Sequence, residues 1–267
     1  MNRPKLSAAK DWKTAVESKV IDNSHETLVE SQLFSPRHRP NYPRLMIIDD
    51  GTASDGEEIR IRCDSLTIGR SGCDICFPAD GLMSSKHIRI SLKQMKHQTW
   101  AWVIDDLDSK NGLFIRQLEI DLNAGNEFLM GGVRYLLHAG HIQKMHSIGG
   151  NPSISAYVAP SITTVPSEQP RGACLECREY SVPEHLLYIP LSSKPLALGR
   201  AATGPGRIPS DPFLEPLHAK LLTQDQMTWR LIDQDSTNGI WLRIKEAVLH
   251  GSIDFFAGEQ RFRFTIT

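Results

Sequence analysis

The feature that most constrains this chain is that one order of landmarks occurs twice along it. Leu66-Thr67-Ile68-Gly69-Arg70 returns as Leu196-Ala197-Leu198-Gly199-Arg200, and a histidine set just before a strand appears at His87 and again at His218. A tryptophan-bearing strand then ends in Val103-Ile104-Asp105 and in Leu231-Ile232-Asp233, followed by Asp-Ser-x-Asn-Gly at 108–112 and 235–239. Arg70 and Arg200 are 130 residues apart, His87 and His218 are 131 apart, and Asn111 and Asn238 are 127 apart. So constant a shift marks one folding unit duplicated, with small loop insertions and deletions between the copies.

The unit itself is written in strands. "RLMIIDDG", "EEIRIRCDSLTIGR", "KHIRISLKQ", "TWAWVIDDLD", "GLFIRQLEI" and "NEFLMGGVRYLLH" are short alternating or β-branched runs between Gly, Asp, Ser and Asn turns, with almost no helical periodicity. The second half resumes the rhythm with "HLLYIPLSSKPLALGR", "LHAKLLTQ", "TWRLIDQDSTNGIWL" and "QRFRFTIT". This predicts an all-β chain of two tandem β-sandwiches, over residues 44–139 and 174–267. Between them, 140–173 is rich in Ser, Pro, Gly and Thr and reads as a flexible linker that fixes reach more than angle. Residues 1–43 carry one short apolar stripe, Ala9, Trp12, Val16 and Val20, ahead of a proline-broken segment. They read as a disordered or weakly helical tail.

Charge narrows the function. Thirty basic against thirty-one acidic side chains leave a formal net charge of -1, so the molecule lacks the positive field of a general nucleic-acid binder, and any anion site must be local. No apolar stretch approaches a membrane span, and the N-terminus lacks the layout of a signal peptide. With an odd count of five cysteines, the expectation is a cytoplasmic protein in a reducing compartment, with no nucleic-acid or membrane partner and no cofactor.

The repeated residues offer anion chemistry. Gly69 and Gly199 end a strand where a side chain would obstruct a tight turn, and Arg70 presents a planar fork of donors suited to phosphate or carboxylate. Ser84, Ser85 and Lys86 stand in the loop before the next strand and add hydroxyls, backbone N–H groups and a point charge. Asn111 sits in a second turn, where its amide can donate to and accept from an extended backbone, and Gly112 permits positive φ there.

In that order and spacing, Gly69–Arg70, Ser84-x-x-His87 and Ser109-x-Asn111–Gly112 resemble the forkhead-associated (FHA) domain, a β-sandwich that reads phosphothreonine. The resemblance implies ligand loops clustered at one end of two packed sheets, with Arg70 and Ser84 on the phosphate, Asn111 on the peptide main chain, and His87 bracing the loops from beneath. The partner it implies is a phosphothreonine-containing protein, a Ser/Thr kinase or its substrate, and the role that of a non-catalytic adaptor. Ser85 and Lys110 depart from residues common in the family. The second copy keeps Arg200, Thr237, Asn238, Gly239 and His218 but places Glu215 where the first has Ser84. A carboxylate there repels phosphate and could occupy Arg200, so this site reads as degenerate, a structural or phospho-independent interaction domain.

Other readings of the same residues are weighed beside this one. Ser84, His87 and Asp105 or Asp106 could form a hydrolytic triad, though no nucleophile elbow surrounds Ser84. Cys174-x-x-Cys177 with His138-x-x-His141 could hold a structural zinc, except that residues three apart on a strand face opposite ways. Cys73-x-x-Cys76 is a weaker metal candidate. Thr14, Thr27, Thr163 and Thr164 could carry phosphate as internal ligands, "HETLVES" around Thr27 foremost.

Overall fold

The structure, a computed structural model, describes residues 42–48, 56–96, 99–138, 172–178, 186–224 and 228–266. The apolar stripe of the tail, His141 and the threonines at 14, 27, 163 and 164 lie outside these residues. The described chain is all β. The first half contributes β1 (Arg44–Ile48), β2 (Glu57–Arg60), β3 (Ser65–Gly69), β4 (Ile75–Cys76), β5 (Ile88–Gln94), β6 (Trp100–Asp106), β7 (Leu113–Gln117), β8 (Glu119–Asn123), β9 (Glu127–Met130) and β10 (Val133–His138). The second contributes β11 (Cys174–Arg178), β12 (Leu186–Pro190), β13 (Leu196–Leu198), β14 (Ala219–Thr223), β15 (Thr228–Asp233), β16 (Ile240–Ile244), β17 (Glu246–Leu249), β18 (Ser252–Ala257) and β19 (Gln260–Thr265). None of the described helices is long and apolar enough to cross a membrane.

Alternation decides which face of each strand is buried. In β8, Ile120 and Leu122 point inward while Glu119, Asp121 and Asn123 face water. It does not decide which core receives that face, and here the structure departs from the contiguous sandwiches expected over 44–139 and 174–267. β8 pairs with β15, placing Ile120 opposite Leu231, and β9 pairs with β16 as well as with β10. In exchange, β17 pairs with β6, β18 with β7, and β19 with β1, so that Leu45 lies opposite Phe264. One core therefore joins Leu45, Ile68, Ile88, Ile104 and Leu113 to Phe255, Phe262 and Phe264 from the C-terminus. The other joins Ile120, Leu122, Phe128 and Tyr135 to Leu198, Leu221, Trp229 and Ile240. The first sandwich is thus built from the described residues of 44–117 and 246–265, and the second from those of 119–244.

The cause is local. β7 runs into β8 through the single residue Leu118, and β16 into β17 through Lys245. Folding back within so short a span needs a two-residue hairpin turn, whose central residues require the positive φ that Gly and Asn tolerate. Residues 113–121 and 240–249 contain neither, nor any proline, and none of them has positive φ. The strand consequently continues straight into the neighbouring sandwich. β7 and β16 pair along their lengths, from Leu113↔Ile244 to Ile240↔Gln117, which makes a ten-stranded sheet continuous through both sandwiches.

The Ser/Pro/Gly-rich stretch also takes on a different place. β10 and β11, which flank it, are paired neighbours within the second sandwich, with His138 opposite Cys174. It connects two strands of one sandwich rather than two sandwiches, and their relative orientation is set by the β7–β16 ladder instead of by that stretch.

Candidate functional site

The loops after β3, before β5 and after β6 meet at one end of the first sandwich. Arg70 N–H donates to the Ser84 carbonyl at 2.9 Å and Ser71 N–H to the Ser85 carbonyl at 3.2 Å, which lays the arginine loop directly along the serine loop. Gly69 is glycine because of this approach. A Cβ there would sit 2.2 Å from the Ser85 carbonyl oxygen, and at Gly199 2.5 Å from that of Pro216. Close contact between loops is the reason at Gly69, and at Gly199 it adds to a positive φ of 156°, where the sequence suggested only a tight turn.

The third loop is tied in by side chains. Ser84 Oγ accepts from Lys110 N–H at 3.0 Å, and Asn111 Nδ2 donates to the Leu82 carbonyl at 2.6 Å. Asp108, at φ 54°, and Gly112, at φ 90°, make the bend. Ser109 N–H donates to Asp106 Oδ1 and Gly112 N–H to Ser109 Oγ, both within 3.0 Å. Asn111 is only 6% exposed, its Oδ1 has no protein partner, and its amide is spent on holding the loops together.

His87 lies fully buried beneath the loops. Its Nδ1 accepts from Ser84 N–H at 3.1 Å and its Nε2 faces the Gly112 carbonyl at 3.0 Å, which fixes the neutral tautomer with the proton on Nε2. Burial pushes its pKa below the ordinary value, against the smaller opposing pulls of the Gly112 carbonyl, Asp106 and Asp80. Since the unfolded histidine binds its proton more readily, stability from this group is present above about pH 6.5 and lost as pH falls toward the folded value. Chemical denaturation of the whole chain at pH 7 and at pH 5.5 is expected to show the lower midpoint at pH 5.5, with the difference reduced in His87→Gln.

The hydrolytic reading does not survive this geometry. Both ring nitrogens of His87 are engaged by the backbone, and Ser84 Oγ is bonded to Lys110 N–H rather than to the imidazole. Asp105 pairs with Arg89 and Lys93, and Asp106 receives Ser109 N–H. The zinc alternative fails as well. Cys177 enters the second core beside Leu175, while Cys174 belongs to the opposite face of β11, and His138 Nε2 meets Glu176 Oε2 at 2.7 Å. Burial raises the Cys174 thiol to about 11 and pushes the Cys177 thiol well above its ordinary value. Cys73 and Cys76 bond locally, Cys73 Sγ reaching the Ser85 carbonyl at 3.0 Å and Cys76 Sγ the Cys73 carbonyl at 3.2 Å.

At the rim, Arg70, Ser85, Lys86 and Lys110 are exposed, and among the described residues no acidic group pairs with any of the three cations. Three exposed cations are therefore carried by the hydrogen-bonded loops that also carry Ser84. The second copy reproduces the scaffold. Arg200 N–H donates to the Glu215 carbonyl, Glu215 N–H to His218 Nδ1, and Asn238 Nδ2 to the Phe213 carbonyl, while His218 Nε2 faces the Gly239 carbonyl. The contents of its rim differ. Glu215 Oε1 accepts the Thr237 hydroxyl at 2.9 Å and not, as its charge suggested, the exposed Arg200.

Residues 66–131 match the FHA domain family. The match spans Arg70, Ser84, His87 and Asn111 and runs on past Leu118, so its last strands lie in the second sandwich. A search of curated proteins yields no match. Among solved structures, the chain is similar to one from an analysis of phosphothreonine-dependent FHA domain interactions, at 27% identity over 28% of this chain and 68% of that one, with a TM-score of 0.21. It is also similar to the Slr1951 protein of Synechocystis sp., at 31% identity over 27% and 71% of the two chains, with a TM-score of 0.22. EmbR of Mycobacterium tuberculosis, solved with a low-affinity phosphopeptide, is 23% identical over 32% of this chain and 21% of its own, with a TM-score of 0.22.

Proposed function

We propose that the first sandwich binds a phosphothreonine peptide and that the chain works as a non-catalytic adaptor in Ser/Thr kinase signalling in the cytoplasm. What supports this is that the Arg70 loop is hydrogen-bonded along the loop of Ser84, Ser85 and Lys86, with Arg70 and Lys86 exposed and without an acidic partner among the described residues, inside a stretch that matches the FHA family. A phosphothreonine brings close to two negative charges, which Arg70 meets with a bidentate fork, Ser84 and Ser85 with hydroxyls and Lys86 with a point charge. In this reading Asn111, buried with its Nδ2 on the Leu82 carbonyl and its Oδ1 unpartnered, meets the peptide main chain once the loop uncovers that oxygen. Capture of phosphothreonine peptides from a degenerate library by the full chain, reversed by phosphatase, tests the reading. Failure to retain any phosphorylated member by correctly folded protein contradicts it.

The second sandwich acts as a phospho-independent domain. Glu215 sets a carboxylate at the mouth of an otherwise equivalent loop cluster and uses it on Thr237. Glu215→Ser is therefore expected to create measurable phosphopeptide binding at this site in an Arg70→Ala background, read by calorimetry. An Arg70→Ala chain that already binds through its unaltered second sandwich excludes this role for Glu215.

A further inference from the structure

The loop that carries Asn111 is held by side chains that the strand exchange brings from the other sandwich. Arg134, on β10, donates from Nη2 to the Asn111 carbonyl at 2.8 Å, and its guanidinium lies 5.2 Å from the centre of the Phe114 ring. Its Nη1 pairs with Glu127 Oε1 at 2.7 Å, and the second oxygen of Glu127, Oε2, takes Arg243 Nη1 at 2.6 Å. Arg243 in turn roofs Gly112, where a Cβ would come within 2.5 Å of its Nε. Arg134 is 4% exposed and the Glu127 side chain 14%, so the three groups form a largely desolvated chain ending on the recognition loop.

The corresponding residues around the second site, each offset by 127 positions, close differently. Arg261 pairs with Asp254, as does Arg263, and the Asn238 carbonyl is held by Trp241 Nε1 at 2.7 Å. Arg116 reaches the Ser236 and Thr237 carbonyls. An arginine on the asparagine carbonyl is thus particular to the first site, the one with the phosphate-compatible rim.

We propose that Arg134, Glu127 and Arg243 are positioning residues for the first site, by which the second sandwich sets the loop of Asn111, the residue assigned above to the peptide main chain. The inference rests on the phosphothreonine-peptide reading of that site. The clamp acts on Asn111 and not on the arginine loop, so it governs the hold on the peptide main chain and leaves the phosphate grip alone. Arg134→Met keeps an apolar stem on Phe114 and removes the donors. In the full chain it is expected to weaken a phosphothreonine peptide about tenfold by calorimetry, while O-phosphothreonine itself, followed by NMR shifts, binds as in the parent. Arg134→Lys recovers part of the loss, and Arg243→Met reproduces the split.

Unchanged peptide affinity in both methionine variants overturns the proposal. So does an equal loss of peptide and O-phosphothreonine, which marks general loosening of the fold. Should Arg134→Met fail to fold, the partly exposed Arg243→Met decides alone by the same split. If the parent chain binds no phosphothreonine peptide, the reading of the site falls before the clamp does, so the two failures remain distinguishable.

Discussion

Cleaving the chain at a protease site introduced between residues 139 and 171 leaves the two fragments together, as one peak in native size-exclusion chromatography that divides only in denaturant. The fragments share both cores. The N-terminal piece supplies Ile120, Leu122, Phe128 and Tyr135 to the second, and the C-terminal piece supplies Phe255, Phe262 and Phe264 to the first. Truncating a buried phenylalanine costs about 3–5 kcal/mol, and a domain is stable by only about 5–15 kcal/mol. Losing three such residues with their strands exceeds what one sandwich has to lose. The N-terminal fragment made alone is accordingly expected to lack cooperative unfolding and phosphopeptide binding, and adding the C-terminal fragment during refolding is expected to restore both. Fragments that separate on cleavage, the first still melting cooperatively, contradict the strand exchange.

Arg70→Ala is expected to weaken phosphothreonine-peptide binding by at least about a hundredfold, since each hydrogen bond to a charged group is worth about 1.5–3 kcal/mol and this guanidinium offers two. Stability is expected to move by no more than about 0.5 kcal/mol, the ordinary range for a surface substitution. The side chain is exposed, and the backbone N–H that ties residue 70 to Ser84 persists in alanine. A large loss of binding without loss of stability separates a ligand contact from a structural one. Arg70→Lys keeps the charge but not the fork and is expected to recover only part of the affinity.

The loop chemistry was legible in the sequence because it is local. Asp108-Ser109-Lys110-Asn111-Gly112 forms its own bend, and His87 bonds the loop three residues before it, so a short motif states most of its geometry. Strand faces were legible for the same reason. The partnering of strands was not, because β8 as "EIDLN" shows the same alternation whichever core it enters. One signal of exchange was present in "LFIRQLEID" and "IWLRIKEAVL", runs longer than the usual strand with no residue suited to a hairpin turn. Arg134, Glu127 and Arg243 were missed because charged residues at outward strand positions read as solvated. Only the neighbouring sandwich makes them part of a site. The zinc reading was already weakened by the period of two in a strand, and the register of β11 completes that argument.

The most direct measurement is a calorimetric titration of the full chain with matched peptides that differ only in phosphate on one threonine, run beside Arg70→Ala. Binding of the phosphorylated peptide alone, removed by Arg70→Ala with the unfolding midpoint unchanged, is the result expected. Equal heats from both peptides, or binding that Arg70→Ala leaves intact, would show that the cationic rim of the first sandwich is not the phosphate grip.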